Sequence, residues 1–294
     1  MFKKAIIYFI WLLFFTTTNS LFLHAASFDQ KLDEIRFEIN RDNLKESISL
    51  LGKIKVNSKI EQNQINLLFG DIYLKINQPQ KAEEFYEKSF MTTNERIESL
   101  TFIGLAEVKL RQGQIDKAID FAERSIAINS DFIRPKIILA DAKTRIGETD
   151  DALDILKDLY LNNKDNAEVN LAIAGYYSSF DDANSAIEIL EKYLKSEPTS
   201  IKVMDELGSL YWQTDNKDKA LELKSKVLKH HEFNKNKYQA KKIKNWILSI
   251  DPNYFKKKQV KGIRPKQSKE YEEEEIDNYD ENKIIPHYET FDFV

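Results

Sequence analysis

The 294-residue sequence contains no cysteine. That excludes a disulfide framework, thiolate metal sites, a cysteine nucleophile and a lipidated N-terminal cysteine. Glycine and proline are scarce, at 8 and 6 residues, which suits long helices joined by few tight loops. The four histidines, His24, His230, His231 and His287, are scattered along the chain. No HExxH, phosphate-binding glycine loop or Gly-x-Ser-x-Gly is present, so the usual signatures of metal hydrolysis, nucleotide binding and serine catalysis are missing. His230 and His231 fit the end of a helix, where imidazole complements the dipole. With 31% charged residues, paired carboxylates are too common for any one pair to stand out as an acid/base couple. The sequence therefore points to no catalytic, cofactor-binding or metal-ligating set, and an enzyme is not expected. A basic excess is absent too. The formal net charge is −4, and because residues 1–26 carry Lys3 and Lys4 and no acid, the remainder stands at −6. A mildly acidic chain argues against nucleic acid as the main partner, since phosphate contacts need a basic face.

What is there is a beat. Ala118, Ala152, Ala186 and Ala220 fall 34 residues apart, and Gly113, Gly147, Asp181 and Asp215 precede them at a constant offset. Between these marks the apolar residues follow helical spacing. In the unit from Ile133 they run Ile133, Ile137, Ile138, Leu139 and Ala140, break at Gly147, and resume as Ala152, Leu153, Ile155, Leu156, Leu159 and Tyr160. Each unit reads as two amphipathic helices that cannot bury both apolar faces alone. Stacking on neighbours buries them, which is why such units come in arrays.

The spacing and residues resemble the tetratricopeptide repeat family. The residues that carry the resemblance are Leu207-Gly208, Tyr211 and Ala220 in one unit and Ile173-Ala174, Tyr177, Ala186 and Pro198 in another. Earlier units carry Phe69-Gly70, Tyr73, Ala82, Tyr86 and Ser89, then Phe102, Leu105-Ala106, Ala118 and Ser125. Lys109 and Lys143 stand where the family has tyrosine. The resemblance implies an all-α, right-handed solenoid of antiparallel helix pairs. Five repeats are expected, at 63–98, 99–132, 133–166, 167–200 and 201–234, with two extra residues between the first and second, near Thr92–Ile97.

The flanks read differently. Lys3-Lys4 followed by the apolar run from Ala5 to Phe15 resembles the start of a secretory signal, and Ala25-Ala26-Ser27 offers small residues for cleavage. Two readings follow: a signal peptide over 1–26, or an uncleaved anchor, since no charge occurs from Ala5 to Ser27. Both place the folded part outside the cytoplasm, in the periplasm or cell envelope; the second holds it at the inner membrane. Residues 27–62 form an atypical first helix pair, Phe28–Asn40 and Leu44–Val56, turning at Arg41-Asp42-Asn43. Residues 235–251 form a capping helix with Ile243, Trp246, Ile247 and Ile250 on one face and lysines on the other. Residues 252–294 are a charged tail expected to be disordered. Its basic stretch from Lys256 to Lys269 precedes an acidic block from Glu270 to Glu281, and it closes on apolar and aromatic residues that include Tyr288, Phe291 and Phe293.

The resemblance also implies where a ligand lies, because the first helix of each unit lines the concave face in that family. The positions implied are Leu67, Ile103, Ile137, Leu171 and Asp205 for the floor, with Asp71, Glu107 and Asp141 beside them. Lys75, Arg111 and Arg145 follow four residues after those acids, and Trp212 stands in the last unit. Such acid–base spacing is the favourable helix order, worth a few tenths of a kcal/mol when exposed. It reads either as ordinary solvated pairs or as the charged walls of a groove with an apolar floor. Some family members grip a C-terminal carboxylate with lysine and asparagine; here Leu67 and Asp71 stand at those positions, so that clamp is not expected. The expected partner is a protein or peptide, bound by a scaffold or assembly factor without a cofactor. The alternatives are an accessory to a glycan- or cell-wall-modifying enzyme and a membrane-anchored assembly factor. The oligomeric state is left open.

Overall fold

A computed structural model describes residues 27–90 and 94–256. Every regular element among them is an α-helix, and none of these helices is long and apolar enough to cross a membrane. The leader and the tail beyond residue 256 lie outside the described residues. The chain divides into two compact units, Met1–Ala152 and Leu153–Val294.

Unit 1 begins with α1 (Phe28–Asn40) and α2 (Leu44–Leu51). Ser27 caps α1 reciprocally with Gln30. Leu32, Ile35, Ile39 and Leu51 are buried in one core with Ile65, Leu68 and Ile72 of α3 (Lys59–Lys75). α2 ends at Leu51, short of Val56, and Val56 is exposed. The remaining elements of unit 1 are α4 (Pro79–Ser89), α5 (Glu95–Arg111), α6 (Ile115–Ile128) and α7 (Ile133–Arg145). Pro79 sits in the first turn of α4, where its missing N–H costs nothing. The first helices α3 and α5 are a turn longer at their start than α7, capped by the Ser58 and Asn94 side chains. α4 is three residues shorter than α6. Together with the link between α4 and α5, these changes account for the extra length of that unit.

The boundary between the units falls inside α8 (Thr149–Asn162). Unit 2 continues with α9 (Ala167–Ser179), α10 (Ala183–Ser196), α11 (Ile201–Gln213), α12 (Lys217–Phe233) and α13 (Lys237–Ile250). α13 buries Ile243 and Ile247 against Met204, Leu221, Val227 and Leu228. The ordered chain does not stop there. Tyr254 and Phe255 pack on the same cluster, and the Tyr254 hydroxyl donates to the Leu221 carbonyl at 3.3 Å. The tail boundary expected at residue 252 therefore moves beyond these two aromatics, whose burial outweighs the cost of ordering them.

The beat has a physical cause. Asn77, Gly113, Gly147, Asp181 and Asp215 all adopt positive φ, as does Asp42 in the first pair. At each, two backbone bonds close the helix end. At Asn77 they run Gln78 N–H to Tyr73 O at 2.8 Å and Asn77 N–H to Leu74 O at 3.1 Å; at Asp215 they run Asn216 to Tyr211 at 2.7 Å and Asp215 to Trp212 at 3.1 Å. This left-handed cap satisfies the orphan carbonyls, so glycine, asparagine or aspartate recurs there. Five residues on, a small residue begins a buried stripe in each second helix. The stripes are Ala82, Tyr86 and Ser89; Ala118, Ala122 and Ser125; Ala152, Leu156 and Leu159; Ala186, Leu190 and Tyr193; and Ala220, Lys224 and Val227. Gly70, Ala106, Ala140, Ala174 and Gly208 are buried small residues at one repeat position of the first helices.

Candidate binding face

In unit 1 the first helices of successive pairs touch, α3 with α5 and α5 with α7, while α4 and α6 make no comparable contact. The side carried by α3, α5 and α7 is therefore the inner side of the curve in this unit. Tyr86 of α4 passes through to it. Its ring fills the space between two glycines: a Cβ on Gly70 would lie 2.5 Å from the ring, and one on Gly104 would lie closer still. The hydroxyl emerges at Asp71 of α3 and donates to Oδ1 at 2.7 Å.

Asp71 is reachable by water, yet protein atoms crowd its carboxyl. That desolvation raises its pKa from 3.8 to about 6, with the Glu107 charge adding to the rise and the Tyr86 hydrogen bond, Arg36 and Lys75 opposing it. Burial likewise pushes the Tyr86 phenol well above its ordinary value, helped by the Asp71 charge. Glu107 of α5 follows the opposite course. Burial pushes it up, but Arg134 at 2.7 Å and Arg111 at 2.8 Å more than compensate and lower it. Of two neighbouring acids, one is thus held charged by two guanidinium groups and the other is poorly compensated.

The three acid–base pairs expected along the first helices do not behave alike. Glu107 with Arg111 and Asp141 with Arg145 form, the latter at 2.9 and 3.1 Å. Asp71 and Lys75 do not pair directly: Lys75 lies 3.0 Å from Asp42 of the preceding turn, while Asp71 takes the Tyr86 hydroxyl. Arg111 donates to the Leu74 carbonyl at 2.6 Å and Arg145 to the Leu110 carbonyl at 3.4 Å. Each guanidinium thus closes the C-terminal end of the preceding first helix, where its charge complements the dipole. Leu67 is buried in the core and offers no surface to a ligand, whereas Ile103 and Ile137 are half-buried on α5 and α7.

Unit 2 repeats the threading with a different side chain. Lys224 of α12 occupies the repeat position of Tyr86. Its stem passes Gly208, where a Cβ would meet it at 3.2 Å. Its Nζ reaches Asp205 at 2.5 Å and Ser209 at 2.9 Å and lies 5.0 Å from the Trp246 ring centroid. Asp205 is therefore engaged by a buried lysine of its own unit. Trp212 is partly exposed and meets the Trp246 ring edge-on at 6.0 Å. Leu171 is half-buried on α9. Reading the first helices alone misses Tyr86 and Lys224, because each comes from a second helix; Arg134 stands on a first helix, α7, and its role shows only once stacking sets it beside Glu107.

Lys109, at the family's tyrosine position, is buried and pairs with Glu83, which also accepts from Gln112 at 2.9 Å. His230 stacks edge-on near His231, and Asn234 Nδ2 lies 3.0 Å from His230 Nε2. No group of three or more metal-ligating side chains occurs among the described residues.

Helix pairs closed by left-handed caps, with small residues at each crossing, define a helical-hairpin repeat protein. Residues 64–92 match the family described as tetratricopeptide repeat. Residues 130–250, less than half of the chain, match the family described as intraflagellar transport protein 56. No curated protein matches. Among solved structures, the thermophilic TPR protein TTC0263 of Thermus thermophilus is 18% identical, with 64% of this chain and 98% of that one covered at a TM-score of 0.55. A Rap protein complexed with competence and sporulation factor is 16% identical, with 77% and 72% covered at a TM-score of 0.59. The Cut9–Hcn1 heterotetramer of APC/C is 14% identical, with 82% and 43% covered at a TM-score of 0.51. These likenesses are of fold. With residues 64–92 matching that family and the fold shared with the solved TPR protein, the chain is similar to the tetratricopeptide repeat family.

Proposed function

We propose that the chain is a non-enzymatic binding protein, and that α3, α5 and α7 of unit 1 receive a polypeptide segment presenting a lysine or arginine. The observation that carries this reading is Asp71. It is a solvent-reachable carboxyl with one hydrogen-bond donor, Tyr86, and no direct ion pair among the described residues, and desolvation raises its pKa against the pull of Arg36 and Lys75. A cationic side chain supplies what the site lacks, and half-buried Ile103 and Ile137 on the neighbouring helices suit apolar residues beside it. Glu107, already neutralised by two arginines, shapes the wall and leaves the cation to Asp71. The Rap protein of the same architecture is solved in complex with a factor, so the fold is one that holds ligands.

Selection from a random peptide library is expected to enrich lysine or arginine beside apolar residues. Asp71→Asn is expected to abolish the charge preference, and Ile103→Asp the apolar one. Enrichment of acidic peptides, or identical selections by all three proteins, overturns the reading. Pull-down with the same variants then ranks physiological partners by their dependence on Asp71.

The basic start and the apolar run from Ala5 to Phe15 support export. In the exported form the binding protein works at the cell envelope, with its leader either removed near Ala26 or retained as an anchor. N-terminal sequencing of the fractionated protein separates these two forms. A full-length chain in the cytoplasmic fraction overturns both.

A further inference from the structure

The last helix has an unusual outer face. While Ile243 and Ile247 of α13 are buried, Lys237, Lys241 and Lys244 form one exposed stripe at helical spacing and Tyr238, Lys242 and Asn245 a second. No Asp or Glu occurs from Phe233 to Ile250. Lys235, Lys241, Lys242 and Lys244 make no ion pair among the described residues. α12 shows the ordinary pattern for comparison, with Lys226 paired to Glu222 at 2.7 Å and Lys219 to Glu191 at 3.4 Å. The like charges of Lys241, Lys242 and Lys244 on one helix repel, and Phe233 at the end of α12 and Tyr238 at the start of α13 are 86% and 72% exposed. Such a surface suits an acidic segment with aromatic residues.

The chain carries such a segment. From Glu270 to Glu281 eight of twelve residues are Asp or Glu, with no cation, and Tyr271, Ile276 and Tyr279 lie among them. A link as long as that from Lys256 to Glu270 has a reach of about 20 Å. α13 is itself about 21 Å long. The acidic block is thus tethered within reach of the whole lysine face, at an effective concentration on the order of millimolar.

We propose that residues 270–281 seat in cis on the lysine face of α13, with the tyrosines against Phe233 and Tyr238. The contact neutralises the cationic face and makes it available only to an acidic partner that outcompetes the chain's own block. It is independent of the unit 1 binding reading, since it involves none of those residues.

The test uses the full-length chain and a full-length variant carrying Glu272→Gln, Glu273→Gln, Glu274→Gln and Glu275→Gln. Acetylation of Lys241, Lys242 and Lys244, read by mass spectrometry, is expected to run several-fold faster in the variant. Lys157, exposed on α8, serves as an unchanged control. The difference is expected to vanish at about 1 M salt, where the screening length is about 3 Å. Carbodiimide crosslinks between Glu272–Glu275 and these lysines are expected at a yield independent of protein concentration. Equal acetylation rates, crosslinks confined to residues 257–269, or a yield that rises with concentration each overturn the proposal.

Discussion

Asp71 and Glu107 are neighbouring acids whose electrostatics run in opposite directions, and they predict opposite pH behaviour. The Asp71 pKa is raised from 3.8 to about 6, so between these values the folded chain holds a proton that the unfolded chain has released. Its effect on stability is therefore unfavourable and grows as pH rises through that window. Asp71→Asn keeps an acceptor for Tyr86 and is expected to raise the melting temperature at pH 7.5 but not at pH 4. Because water reaches the carboxyl, the gain is on the order of 1 kcal/mol after screening. Affinity for a cationic peptide is expected to rise between pH 5 and 7 as Asp71 ionises, and isothermal titration at the two pH values checks it. Glu107, whose pKa is lowered by Arg134 and Arg111 against the effect of burial, contributes stability above its unfolded pKa and loses it as pH falls. Glu107→Gln is expected to cost about 1–3 kcal/mol at pH 7, with little cost in acid, as read by denaturant melts. An equal loss at both pH values would contradict the role given to the two arginines.

Turns and crossings carry the element-scale predictions. Gly147 has φ +88 with open space where a Cβ would be, so Gly147→Ala meets only backbone strain and is expected to cost about 1–2 kcal/mol. Gly104→Ala would press its new methyl into the Tyr86 ring, well inside contact distance, and is expected to cost about 1–3 kcal/mol through overpacking. That cost falls in a Tyr86→Leu background, whereas the Gly147→Ala cost does not; a double-mutant cycle separates the two mechanisms. Ala186→Leu, at a fully buried crossing, is expected to cost about 1–3 kcal/mol. Lys157→Ala on an exposed face is expected to cost less than about 0.5 kcal/mol. Equal melting temperatures for Ala186→Leu and Lys157→Ala would contradict the register. That register was legible because the left-handed cap and the close crossing each admit few residue types. Where they recur, glycine, asparagine or aspartate and then alanine recur too. The end of α2 was less legible: Ile54 and Val56 continue an apolar pattern that a strand-like or irregular link satisfies as well as a helix does.

For the whole molecule, stability comes from neighbours. Within each unit a pair leaves an apolar face that the next pair covers, and α13, with Tyr254 and Phe255, covers the last in unit 2. Truncation after Asn236 uncovers Met204, Leu221 and Leu228. Hydrogen exchange in α11 and α12 is then expected to accelerate by at least tenfold, while α3 and α5 keep wild-type rates. Uniform acceleration along the chain would show that stability is not local in this way.

The sequence by itself determined the all-α class, the 34-residue period, the positions of the turns and the small residues at each crossing. These are local demands, met within one helix end or one contact, so they leave a periodic trace. The binding face was not determined in that way. Leu67 follows the family's floor pattern but is buried, and Lys75 has the spacing to pair with Asp71 but takes Asp42. Asp71 is set apart by Tyr86, which arrives from α4 between two glycines, and by Glu107 from α5. Arg134 reaches Glu107 from α7. Those partners stand 15 to 36 residues away from the acids they serve. Only stacking brings them together, and desolvation and charge balance depend on that proximity rather than on spacing along the chain.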